Sequence, residues 1–134
     1  MLGGESAIAI ELADQVTTRW NNRSRYREAA AKVRETLAVT GDDYRLLHNL
    51  ARSLTALGEI SDALHYYENA KHHRPPEDKK EKSAIIHNMA IIYAQQGQVT
   101  QALDLYQQSL TITEAIGNVK GKAATLHQMA GIYA

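Results

Sequence analysis

The sequence predicts an all-α protein built from repeated antiparallel helical hairpins, and three observations predict it. The chain repeats itself: residues 87–94, HNMAIIYA, return at 127–134 as HQMAGIYA, with six of eight letters kept. Within each copy the apolar residues keep helical spacing, as in Ile86, Met89, Ala90 and Tyr93 at i, i+3, i+4 and i+7. Each copy is also divided by a glycine-centred break, as in Gln95-Gln96-Gly97-Gln98. An internal period of roughly 20–50 residues dictates architecture before any single motif does.

Composition bounds the reading. A length of 134 residues suits one domain with a real core. Fifteen Lys and Arg balance fifteen Asp and Glu, so no global field steers the chain to nucleic acid or an anionic membrane. The absence of Cys excludes disulfides, a thiol nucleophile and thiolate zinc sites. The start, MLGGESAIAIELAD, has no basic n-region, and Glu5, Glu11 and Asp14 interrupt its apolar letters, so it does not read as a secretory signal. The longest apolar run, AIIHNMAIIYA, is short for a membrane span and contains His87 and Asn88. Without secretion, the glycosylation match at Asn22-Arg23-Ser24 is an accident of composition. A cytoplasmic location without membrane contact is expected.

Taken in order, residues 5–43 form the faintest hairpin, reached by stepping back 34 positions from Ala63 to Ala29. Its basic turn, RWNNRSRYREAAAKVR over 19–34, sets six basic residues against Glu28. Trp20 and Tyr26 raise the thought of stacked bases. The favoured reading is a solvated turn, with Trp20 filling the core between the first two hairpins, so nucleic acid is not the expected partner. Residues 44–82 form the second hairpin. A slide of 39 lays His48-Asn49-Leu50-Ala51 on His87-Asn88-Met89-Ala90, Gly58 on Gly97, Ala63-Leu64 on Ala102-Leu103, and Tyr67 on Tyr106. RPPEDKKEK, residues 74–82, is a solvated connection. Its prolines stop one helix, and Glu77-Asp78 favour the start of the next.

Residues 83–122 form the third hairpin, with a first helix over 83–95. Gly97 suits a left-handed cap there, and a second helix opens near Thr100 with Ala102, Leu103, Tyr106 and Leu110 as its stripe. Ala90 and Ala102 are small where two backbones approach closely. Residues 123–134 open a fourth hairpin. Its Met129, Ile132 and Tyr133 have no second helix to cover them, so the chain is expected to be a piece of a longer array. Self-association through that uncapped helix is expected with it.

These letters resemble the tetratricopeptide repeat, in which Leu, a small residue, Tyr, Gly, Ala, an aromatic and Ala recur in order. Leu50, Ala51, Leu54, Gly58, Ala63, Tyr67, Ala70 and Pro75 carry the resemblance, then Met89, Ala90, Tyr93, Gly97, Ala102, Tyr106 and Ser109, then Met129, Ala130 and Tyr133. The first hairpin joins only through Trp20 and Ala29. The spacings of 39 and 40 are similar to the long-period repeats of kinesin light chains and of bacterial signalling proteins, and the Gln-rich YQQSL…IGN phrasing is closest to the latter.

The resemblance implies a single right-handed α-solenoid whose first helices line a concave groove for an extended peptide or partner segment. Carried over by position, the lining residues are Arg45, His48, Asn49 and Arg52, then His87, Asn88, Ile91 and Gln95, then His127 and Gln128. The amide recurring at Asn49, Asn88 and Gln128 suits hydrogen bonds to a peptide backbone. Chaperone-binding relatives grip a carboxylate with Lys, Asn and Arg. Asp14, Thr18, Ala84 and Asn88 stand at those positions here and only Asn49 matches, so chaperone tails are not the expected partner.

The register His48, His87 and His127 invites a metal reading. Helices packed roughly 10 Å apart cannot converge three imidazoles to about 2 Å from one ion, so no metal site is expected. His72-His73, ahead of Pro75-Pro76, read as a helix end. No phosphate loop, nucleophile elbow or ligand pair at helical spacing is present, so neither catalysis nor a cofactor is expected.

Overall fold

The computed structural model describes residues 3–133, which form seven α-helices and no strand. Helices α1 (Gly3–Asn22), α2 (Tyr26–Thr40), α3 (Tyr44–Ala56) and α4 (Ile60–His73) belong to an N-terminal unit that ends at Arg74. Helices α5 (Lys79–Gln95), α6 (Val99–Ala115) and α7 (Val119–Tyr133) belong to a C-terminal unit that starts at Pro75. Within the first unit α1 packs on α2, α3 on α4, and α3 also on α1 and α2. Within the second, α6 packs on both α5 and α7, and α5 also meets α7. No described helix is long and apolar enough to cross a membrane.

The turns explain why the hairpins fold where they do. After α5, Gly97 takes φ +79°, its N–H donates to Ala94 O (3.1 Å), and the Gln98 N–H donates to Tyr93 O (2.9 Å). This is a Schellman closure, which caps the orphan carbonyls of a helix end. Gly58 repeats it after α3 with φ +83°, pairing with Thr55 O while Glu59 pairs with Leu54 O. The first hairpin uses the same closure without glycine. Ser24 sits at φ +61°, its N–H on Asn21 O (3.1 Å) and that of Arg25 on Trp20 O (2.8 Å). Ser24 stands 34 residues before Gly58, so the faint hairpin keeps the repeat's turn under another letter.

Side-chain caps set several helix starts. Asp43 accepts from the N–H groups of Arg45 (3.0 Å) and Leu46 (3.4 Å) and begins α3 as expected. Asp78 accepts from the Glu81 N–H (3.1 Å), so α5 starts at Lys79, where Glu77-Asp78 were expected to favour a helix start and four residues ahead of the apolar stripe at 83–95. Asn118 accepts from the Gly121 N–H (3.0 Å), so α7 starts at Val119, ahead of residue 123. Of the polar residues near Thr100 it is Gln98 that precedes α6, with no side-chain cap.

Each unit buries its own apolar seam. In the first, Leu46, Leu47, Leu50 and Leu54 of α3 are fully buried, as are Ala29 and Val33 of α2 and Ala63 and Tyr67 of α4. Thr17 takes the small-residue position on α1, fully buried, and its hydroxyl donates to Ala13 O (2.7 Å). In the second, Ala90 of α5 meets Ala102 and Tyr106 of α6, with Tyr93, Met129 and Ile132 half-buried against them. Met129 and Ile132, expected to lie uncovered, therefore face inward, because α7 rests on α6 by one side. Trp20 is half-buried, with the Arg25 guanidinium 5.0 Å above its ring. That covered face is closed to a stacking base.

Candidate interaction site

The expected lining residues fall in both units and behave differently in each. On α3, Arg45, Asn49 and Arg52 recur along one face, and all three reach across to α1. The Arg45 guanidinium pairs with Glu11 (3.1 Å) and lies 3.4 Å from Asp43. The Arg52 guanidinium donates to Asn22 Oδ1 (3.1 Å). Asn49 is only 5% exposed. Its Nδ2 lies 3.0 Å from Asp14 Oδ1, from Thr17 Oγ1 and from Thr18 Oγ1. An amide with two hydrogens and this many internal acceptors has none to offer an incoming peptide. Its backbone oxygen accepts from Asn21 Nδ2 (3.0 Å) and from the Ser53 hydroxyl (3.1 Å). Burial raises the Asp14 carboxyl above its ordinary range, while Arg45 and the Asn49 hydrogen bond oppose the rise.

The α5–α7 seam carries the same register with shorter side chains. A step of 79 residues takes Arg45 to Ala124, Asn49 to Gln128 and Arg52 to Gly131. The residue matching Glu11 on α5 is Ala84, 73 positions on. Where α1 and α3 close with an ion pair and an Arg–Asn bond, α5 and α7 face each other with alanine, alanine and glycine. Two hollows result. One, of about 180 Å³, is lined by Ala84, His87, Asn88, Ala124 and Thr125 among others, with Lys80 at its edge. The second, of about 350 Å³, is lined by Ile91, Gln95, Val99, Gln128, Gly131 and Ile132. Five expected residues, His87, Asn88, Ile91, Gln95 and Gln128, therefore meet along one seam. His127 is exposed.

The histidine register has a local explanation. His48 packs on Tyr67 with ring centroids 5.7 Å apart, and His87 packs on Tyr106 at the same 5.7 Å. Each ring seals its own hairpin, first helix against second. His87 Nδ1 also lies 3.0 Å from the Thr125 hydroxyl. Burial lowers its pKa below the ordinary imidazole value and raises that of the Tyr106 phenol. A neutral His87 therefore accepts from Thr125 or donates to it according to tautomer. No group of three His, Asp or Glu among the described residues is placed to share a metal ion.

Comparison with known proteins agrees with the helical-hairpin fold. Two tetratricopeptide repeat profiles match, one over residues 82–134 and one over 45–71. No curated protein sequence matches. Among solved structures, a tpr-like protein from Chlorobium tepidum aligns with TM-score 0.75 at 18% identity, covering 100% of both chains. The nearly identical TPR-like repeats assigned to a kinesin light chain of Podosopora anserina align with TM-score 0.73 at 20% identity over 92% of this chain. A second crystal structure of those repeats gives TM-score 0.75. The chain spans 65% of the length of the Podosopora structures. At these identities the likeness is one of fold.

Proposed function

Because the chain belongs to the tetratricopeptide repeat family, we propose that it is a protein-interaction scaffold, not an enzyme, and that a partner's extended segment lies along the α5–α7 seam. The observation carrying this reading is the contrast between two seams of the same register. Arg45, Asn49 and Arg52 are spent on α1, whereas Ala124 and Gly131 leave space beside Asn88 and Gln128. Gln128 is the amide for a partner's backbone, and the two hollows, the smaller of them lined by Asn88, take its side chains. Ala124 and Gly131 are seven residues apart, about 10 Å along a helix. That distance matches about three residues of extended chain.

Restoring the arginines that the α3 positions carry tests the proposal. Ala124 and Gly131 are both exposed, and a Cβ at Gly131 meets nothing within 4 Å, so both changes leave the fold intact. Peptides selected from a random phage-displayed library against the wild-type chain are expected to bind the A124R/G131R double variant at least about tenfold more weakly, a loss of roughly 1.4 kcal/mol. Peptides that bind both proteins equally, or a library that yields none, would sink the α5–α7 site.

A further inference from the structure

Three hydroxyl-bearing residues under the smaller hollow fix which proton His87 carries. Ser83, Ser109 and Thr125 line that hollow and are buried. The Ser109 hydroxyl donates to Ser83 O (3.0 Å), which commits its one hydrogen. Thr125 Oγ1 lies 3.4 Å from Ser109 Oγ and 3.0 Å from His87 Nδ1. Thr125 also has one hydrogen to give. Given to His87, it would leave the Thr125–Ser109 contact with no hydrogen between two oxygens. Given to Ser109, it makes a long hydrogen bond there, and His87 Nδ1–H donates to Thr125. Buried polar groups take the arrangement that leaves none unmatched. Burial lowers the His87 pKa, so the ring is neutral and Nε2 keeps its lone pair. Nε2 bonds to no described residue and is not sealed from solvent. The ring lines the smaller hollow, and there the lone pair is open.

We propose that His87 sets the specificity of the α5–α7 seam. Thr125 holds the ring with Nδ1 protonated, Nε2 accepts in the hollow, and the hollow takes an apolar side chain ending in one hydroxyl, a partner's threonine or tyrosine. His87 has this role only if a partner segment lies along the seam.

The rest of the hollow selects that class. Its open wall is mostly apolar, with Ala84, Gly121 and Ala124 among the lining residues. An amide would bring a second hydrogen and a carbonyl that also need partners, at a cost on burial. Lys80 stands at the edge and no carboxylate lines the hollow, so a Lys or Arg side chain would enter against a like charge. An ionised carboxylate has no hydrogen to give and would meet the Nε2 lone pair. A cavity of about 150 Å³ holds benzene, so a hollow of about 180 Å³ admits a phenol ring and leaves little for a second ring.

Imidazole nitrogen shifts, measured by NMR at neutral pH, read the tautomer without any partner. His87 is expected to show a protonated Nδ1 and an unprotonated Nε2, and Thr125→Val is expected to lose that pattern. Peptides selected against the wild-type chain and rejected by A124R/G131R are expected to share a threonine or tyrosine. Replacing it with valine or phenylalanine is expected to weaken binding to the wild type about tenfold. The same replacement is expected to change nothing on His87→Phe, whose ring keeps the packing on Tyr106. If His87→Phe does not fold, the wild-type peptide series and the Thr125→Val spectrum decide alone. A His87 protonated on Nε2 overturns the proposal whether or not any peptide binds. Peptides that A124R/G131R rejects but that need no hydroxyl overturn the role of His87 and leave the seam standing. A library with no seam binder overturns both.

Discussion

Ser24 holds a backbone conformation that favours glycine, and the first hairpin closes on it. A left-handed φ of +61° on a residue with a Cβ costs roughly 1–2 kcal/mol, which glycine avoids while losing some entropy on folding. Ser24 is exposed, and its hydroxyl makes only a long 3.4 Å contact with the Tyr26 hydroxyl. Ser24→Gly is therefore expected to stabilise the chain by about 1 kcal/mol, raising the thermal midpoint by a few degrees. A lowered midpoint in a differential scanning experiment would show that the turn does not govern closure of this hairpin. Asn49 gives the opposite lesson in single residues. Its letter suits a groove, but Asp14, Thr17 and Thr18 on α1 take up its amide. No local pattern around residue 49 announces that, because the acceptors lie over 30 positions away.

At the scale of the helix, packing depends on which residue is small. Ala90 is fully buried against Ala102 and Tyr106, whereas Ala94, one turn on, is only half-buried. Ala90→Leu inserts three carbons where two backbones meet, an overpacking that costs about 1–3 kcal/mol, and Ala94→Leu should cost less. Urea melts of the two variants check this; equal midpoints would mean that the helix register is misassigned.

The hairpins after residue 44 were legible at this scale because Gly58, Gly97 and the Ala–Tyr pairs at 63/67 and 102/106 repeat in register. The first hairpin was faint because Thr17, Ser24 and Val33 do the work of alanine, glycine and tyrosine. Each substitute satisfies the same physical demand in another way: Thr17 by a hydroxyl turned onto Ala13 O, Ser24 by accepting strain. Glu77-Asp78 marked the start of α5, although the apolar stripe began only at residue 83; the start of α7 was missed because Asn118 caps a largely polar first turn, where apolar periodicity gives no signal. The open α5–α7 seam was invisible in one copy alone, and shows only when Ala124 and Gly131 are set beside Arg45 and Arg52.

At the scale of the whole chain, the division at Arg74 and Pro75 carries a thermodynamic consequence. Repeat proteins draw stability from contacts between neighbouring elements, so a piece that keeps its own neighbours can fold alone. Residues 1–74 hold four helices and a continuous apolar seam from Ala29 and Val33 through the α3 leucines to Ala63 and Tyr67. The polar bridges Arg45–Glu11, Arg52–Asn22 and Ser53–Asn21 lie wholly inside this piece. Residues 75–134 hold three helices, and their central cluster is Ala90, Ala102 and Tyr106. Short chains bury only about 60% of their unfolded surface, so the size of the seam decides whether they fold. The 1–74 fragment is thus expected to be helical by circular dichroism and to lose that signal in one urea transition. The 75–134 fragment is expected to unfold at a lower midpoint, because it has three helices to the other's four and fewer buried apolar side chains. A 1–74 fragment that is unfolded, or that melts without a transition, would show that its seam is not self-sufficient.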